Sequence, residues 1–224
     1  MGMPSRPRRS YDQFCAIARA LDSVGDRWSL LIVRELLAGP RRYTDLHADL
    51  PGVSTDVLAA RLKHLEGEGL VVRRALPRPA TAKVYELTAR GGELLPVLTA
   101  LARWGAADLG TPRSTDAVRV HWWAVPVRTA LEDALEQALG PDAERRALVE
   151  VHLPEGVFHV RLGDDPPYGE GPAPHPADAT LKFTPEATAP LTTATLTHQL
   201  TTGTAHITGN TPLAQALRPT PPPN

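Results

Sequence analysis

The segment Leu50 to Arg74, LPGVSTDVLAARLKHLEGEGLVVRR, restricts the fold of this 224-residue chain more than any other. Pro51-Gly52 stops the short helical stretch RRYTDLHADL before it, because proline withholds a backbone donor and glycine tolerates turn geometry. Ser54 is a strong N-cap, since its hydroxyl can accept an orphan backbone N–H. Leu58, Leu62 and Leu65 then fall at i, i+4 and i+7, one face of a helix turned toward a core. The helix runs to about Gly67, with Gly69 at its exit. VVRRAL and KVYELT follow, two β-rich runs separated by PRPATA, and read as a hairpin with a proline-stiffened tip.

Upstream, FCAIARALDSV places Ile17, Ala20, Leu21 and Val24 at helical spacing, and RWSLLIVRELLAG forms a second helix closed by Gly39-Pro40. Downstream, Thr88 can cap a last helix from Ala89 to about Leu109, kinked at Pro96. Three helices, a basic hairpin and a further helix is the order of a winged helix-turn-helix, in which the helix after the turn enters the major groove of DNA. The face opposite the leucines holds Asp56, Ala59, Ala60, Lys63 and Gly67, flanked by Thr55, Arg61 and His64. Small residues there permit close approach to base edges. Arg41 and Arg42 before the preceding helix, and Arg73, Arg74, Arg78 and Lys83 in the hairpin, suit phosphates, which position without reading sequence. Charge agrees: residues 1–110 carry 16 Lys/Arg against 12 Asp/Glu, and residues 111–224 carry 8 against 13.

Residues 11–109 resemble HxlR-type transcriptional regulators, through FCAIARALDSVGDRW, WSLLIVRELLAGPRRYTDL, LPGVSTDVLAARLKHLEGEGLV and VYELTARGGELLPVLTALARWG. The resemblance implies a homodimer whose first and last helices pair across a two-fold axis, binding an operator with an inverted repeat. It also implies a repressor or activator of nearby genes. Asp56 departs from the expected pattern, being acidic where the helix faces DNA; it either supports the helix N-terminus or accepts from a cytosine N4. Cys15 matches a position at which some members sense oxidants or electrophiles; otherwise it is a small apolar residue near the dimer helices.

Residues 110–117, GTPRSTDA, read as a linker, giving domains at 1–112 and 113–224. Beyond it HWWAVPVRTALEDALEQAL is helical, and ALVEVHLPEGVFHVRL is a hairpin. With Glu155-Gly156 as its two-residue turn, His152 faces His159 and Glu150 faces Arg161 on a solvated side. Residues 164–178 read as loop, ATLKFT as a strand, PEATAPLTTATL as helical, TAHITG as a strand, TPLAQAL as a helix, and the tail 218–224 as disordered. Roughly residues 145–217 resemble sterol-carrier-protein-type domains, through DATLKFTPEATAPLTTATLTHQLTTGTAHITGNTPLAQAL. That resemblance implies a twisted antiparallel or mixed sheet under helices, enclosing an apolar tunnel for a hydrophobic small-molecule effector. Trp104, His121, Trp122, Trp123 and Phe158 are its candidate ligand residues.

The fold class is thus α+β: a winged helix-turn-helix followed by a smaller α+β sterol-carrier-like domain. A single cysteine excludes an intrachain disulfide. The N-terminus lacks the apolar stretch of a signal peptide, and no run approaches the ~20 apolar residues of a membrane span, so a cytoplasmic protein with no membrane partner is expected. Nucleophile elbow, Gly-rich phosphate loop and HExxH are missing, and two histidines without a third ligand make a poor metal site. The expectation is a regulator rather than an enzyme, without cofactor or metal, and probed by two alternatives: a thiol sensor using Cys15, or a carrier or enzyme module tethered to a DNA-binding domain.

Overall fold

The computed structural model describes residues 10–77, 82–110, 112–140, 146–185, 187 and 193–218. Its contacts divide the chain into two compact units, Met1–Leu94 and Leu95–Asn224.

In the first unit the helices are α1 (Ala16–Val24), α2 (Ser29–Leu36), α3 (Tyr43–Asp49), α4 (Thr55–Gly67) and the single turn α5 (Ala89–Gly92). The strands β1 (Arg41–Arg42), β2 (Val71–Ala75) and β3 (Lys83–Leu87) form an antiparallel sheet with β3 in the centre. The core forms where the sequence puts it. Leu58, Leu62 and Leu65 of α4 are buried against Ile32 and Leu36 of α2, Leu46 of α3, and Val71 and Tyr85 of the hairpin. Full burial of a leucine side chain contributes about 1.5–3 kcal/mol, so this row outweighs helix propensity in deciding which way α4 faces.

The last helix differs from the continuous one that the sequence suggests. It is broken rather than kinked: α5 ends at Gly92, and α6 (Leu95–Gly105) begins anew with Pro96 in its first turn. A proline ring clashes with the carbonyl four residues back and supplies no donor to it; for Pro96 that residue is Gly92. Thr88 does cap α5, its Oγ1 accepting from the Gly91 backbone N–H at 3.1 Å. The same hydroxyl donates to the Gly69 carbonyl at 2.7 Å, tying the end of the wing to the exit of α4.

The second unit begins with α6. It continues through a 3-10 turn at Val120–Trp123, α7 (Ala124–Leu139), β4 (Ala147–Leu153), β5 (Gly156–Leu162), β6 (Tyr168–Glu170), β7 (Ala179–Phe183), α8 (Thr193–Thr202), β8 (Ala205–Thr208) and α9 (Pro212–Ala216). The strand order is β6-β5-β4-β7-β8, with β4 and β7 parallel and the other pairs antiparallel. Helices α7, α8 and α9 contact β5, β8 and β7. Val149, Val151, Phe158, Val160 and Leu181 are fully buried, and strand alternation sends their neighbours to the opposite face.

Three expectations here are corrected. The β4–β5 turn is Pro154-Glu155, so the register slips by two residues: Glu150 opposes His159, His152 opposes Val157, and Arg161 opposes Leu148. A two-residue slip keeps every side chain on its expected face, which is why the apolar pattern alone did not distinguish the registers. Residues 164–178 contain a strand, β6, paired with β5. The far face is also not solvated throughout. His159 is only 5% exposed, its Nδ1 lying 3.1 Å from the Gly171 carbonyl and its ring against Gly169, where a Cβ would sit 2.6 Å from Nε2. The helical reading of 185–196 falls partly on 186 and 188–192, outside the described residues, as does the tail from 219 onward.

Two predictions follow from this packing. A Cβ at Gly91 would lie 2.1 Å from the Leu70 carbonyl oxygen and 3.0 Å from Leu87 Cδ2. Gly91→Ala is therefore expected to destabilise the first unit by about 1–3 kcal/mol, seen as a lower denaturant midpoint. Glu150 accepts from the Ala173 backbone N–H at 2.7 Å and pairs with His152 at 2.7 Å; these contacts, the backbone one foremost, hold its carboxyl below the ordinary range against a smaller opposing effect of burial. A depressed native value stabilises above the unfolded value and is lost as pH falls through the native one. Thermal melts of Glu150→Gln should lie below wild type at pH 7 and converge on it toward pH 3.

Candidate nucleic-acid interface

The turn between α3 and α4 is fixed at several points. The Tyr43 hydroxyl donates to the Thr55 carbonyl at 2.7 Å. The Ser54 hydroxyl accepts from the Val57 N–H at 3.3 Å, the cap its sequence position calls for. Asp45 accepts from the Arg42 backbone N–H at 3.2 Å. Tyr43 is a residue that sequence reasoning passed over; its phenol is held above its usual pKa by burial first, then by Tyr85 and the Asp56 charge. An aromatic at the first position of the helix before the turn was the available signal.

With the leucines buried, α4 presents Thr55, Asp56, Ala59, Ala60, Lys63 and Gly67 to solvent. Val57, 40% exposed, joins this surface at the helix N-terminus, an apolar position not anticipated because the leucine row alone accounted for the core. Arg61 and His64 behave differently from expectation. Arg61 forms an ion pair with Asp26, and His64 Nε2 lies 3.0 Å from the Ser23 carbonyl, so both brace α4 against the α1 region.

The wing separates its arginines. Arg73 opposes Tyr85 and Arg74 opposes Val84, so the two point to opposite faces. The Arg73 guanidinium lies over the Tyr85 ring, 5.6 Å from its centroid, while Arg74 pairs with Glu86. Lys83 and Arg42 are exposed. Arg41 is half-buried, 3.9 Å from Asp49. Arg78 lies outside the described residues. The available cations are therefore spread across the wing and the start of α3, with Lys63 exposed on the outer face of α4 beyond Ala59 and Ala60.

The candidate effector residues differ in depth and in the elements that carry them. Phe158 is fully buried in the core of the second unit, Trp104 is 77% exposed on α6, and Trp122 and Trp123 are half-buried in the 3-10 turn. His121 is buried, its Nδ1 3.0 Å from Glu170 and its ring edge-on to Trp122. A cavity of about 310 Å³ in this unit is lined instead by Arg146, Leu148, Arg161, Asp164, His175 and Asp178, among others. Cys15 is an exposed free thiol at the start of α1. No helix among the described residues is long and apolar enough to cross a membrane.

Helix α3, a five-residue turn, a capped α4 with a small-residue outer face, and a basic wing together define a winged helix-turn-helix module. The sequence profile of the HxlR-like helix-turn-helix proteins matches residues 23–112. A helix-turn-helix-type transcriptional regulator of Synechocystis sp. is 41% identical over 92 residues, 41% of this chain and 68% of its own. YvaP of Bacillus subtilis, another such regulator, is 41% identical over 86 residues, 38% of this chain and 80% of its own. The reduced form of the Bacillus subtilis regulator YodB aligns in structure at 30% identity and a TM-score of 0.39, covering 45% of this chain and all of that one. The chain belongs to the HxlR-like helix-turn-helix family of transcriptional regulators.

Proposed function

We propose that the protein is a dimeric, sequence-specific repressor that places α4 in the major groove of each half of an inverted repeat, and that a hydrophobic small molecule bound by the second unit releases it. The observation that carries the DNA-binding part is the outer face of α4: two alanines at its centre, a fixed N-terminus, and cations at its C-terminal end and on the neighbouring wing. Phosphate contacts from Arg42, Arg73, Arg74 and Lys83 supply the salt-dependent affinity, and the α4 face reads base edges.

Dimerisation draws support from α1. The apolar set at helical spacing is largely exposed: Ile17 is 72% exposed, Leu21 44%, and Phe14 just before the helix is fully exposed. Soluble monomers rarely leave such a stripe open, and a second copy of the chain covers it under the family resemblance. On α6, Val97, Leu101 and Trp104 are likewise exposed. The effector part rests on the second unit, whose sheet carries an apolar face under α7, α8 and α9, the arrangement that the sterol-carrier resemblance implies. We take the effector-binding part to be residues 113–224, beyond the segment that the family profile matches. The exposed thiol of Cys15 favours a second reading, a regulator released by oxidants or electrophiles; loss of the inducing response in Cys15→Ser separates it from the first.

Binding to an inverted repeat from the protein's own promoter region, followed by gel shift across a salt series, tests the main reading. Arg73→Ala should lower the slope of log K against log salt by about one; an unchanged slope removes Arg73 from the phosphate contacts. Ile17→Asp should shift the protein toward monomer in sedimentation and weaken operator binding in parallel, with the melting of the first unit retained.

A further inference from the structure

We infer that Asp56 is a base-reading residue, selecting cytosine at one position in each operator half-site. The inference rests on the proposed placement of α4 in the major groove and adds the specificity that this placement delivers.

Asp56, Ala59, Ala60 and Lys63 stand at i, i+3, i+4 and i+7, and all four are exposed. They form one stripe along the middle of the outer face. The two alanines offer no hydrogen bonds, so the polar chemistry of the stripe is confined to a carboxylate at one end and an ammonium at the other. A rise of 1.5 Å per residue separates their backbones by about 10 Å, roughly three base-pair steps. Residues at the N-terminus of a recognition helix are the ones that reach base edges, which singles out Asp56.

The fold leaves this carboxylate available. The N-cap position is already filled by Ser54. The nearby Tyr43 hydroxyl is spent on the Thr55 carbonyl. Asp56 has no hydrogen-bond or ion-pair partner among the described residues, whereas Arg61 on the same helix is taken by Asp26. A carboxylate at a helix N-terminus gains only a small stabilisation from the helix dipole. Desolvated against DNA without a donor, it would lose more than that. The stripe therefore needs a base that presents a hydrogen-bond donor.

In the major groove only cytosine N4 and adenine N6 donate. Adenine sets its N7 acceptor beside N6, which repels the second carboxylate oxygen; cytosine carries no acceptor on its own major-groove edge. Cytosine is thus the base that an aspartate here reads. Val57, exposed beside it, and Ala59 offer apolar contact for a thymine methyl in the neighbouring steps.

Selection of duplexes from a randomised pool by the full-length protein, followed by binding to the four variants at each selected position, tests this. Wild type should prefer cytosine at one half-site position by roughly tenfold over the other bases. Asp56→Ala should lose that preference while keeping the preferences elsewhere in the half-site, and Asp56→Asn should move it toward adenine, whose N6 and N7 an amide can engage together. Both variants alter an exposed side chain, and thermal melting checks that they fold. Identical preferences in wild type and Asp56→Ala would overturn the inference while leaving DNA binding intact. Failure of wild type to enrich any half-site would overturn the DNA-binding reading itself.

Discussion

The burial of Leu58, Leu62 and Leu65 on one side of α4 is the constraint on which the DNA-binding half depends. Those three side chains anchor the helix to α2, α3 and the hairpin, and their burial decides which residues are left for solvent. Everything attributed to the outer face follows from that orientation. The Tyr43–Thr55 hydrogen bond and the Ser54 cap then fix where the helix begins, so a side chain at its second position has a defined place. A recognition helix free to rotate by one residue would present a different set of atoms to each base pair.

Much of this was legible in the sequence because the governing signals are local and periodic. Pro51-Gly52, Ser54 and the leucine spacing specify turn, cap and face within fifteen residues. The roles of Arg61 and His64 were not legible. Both lie at the edge of the exposed arc, and only the position of the α1 region, supplied by Asp26 and the Ser23 carbonyl, turns them inward. Period-2 alternation separates Arg73 from Arg74 once the strand is known, yet their partners Tyr85 and Glu86 come from across the hairpin. Pro96 shows a signal read too weakly: the proline ends one helix and starts another rather than bending a single one.

In the second unit the strand faces were legible and the pairings were not. Val149, Val151, Phe158 and Val160 alternate as a half-covered sheet demands, but a register shift of two leaves that pattern untouched, so His152 and His159 were paired incorrectly. β6 has only three residues within a proline- and glycine-rich stretch, too short for alternation to stand out. The aromatic and histidine residues chosen for a ligand are scattered among core, surface and turn positions, while a cavity in the unit is lined by other residues, Arg146, Leu148 and Asp178 among them. Residue type gave no information on depth; that came from the tertiary packing.

The two halves of the chain thus stand on different footing: a helix-turn-helix module whose geometry is fixed by its own core, and an α+β unit whose apolar sheet face is buried beneath its own helices. The central claim is that α4 enters the major groove on both sides of a two-fold axis. Methylation interference at guanine N7, which lies in the major groove, tests it most directly with the full-length protein on its operator. The account predicts two symmetric clusters of interfering guanines with centres about one helical turn apart, near 34 Å. Interference limited to adenine N3 in the minor groove, or a single cluster without a symmetric mate, would contradict it.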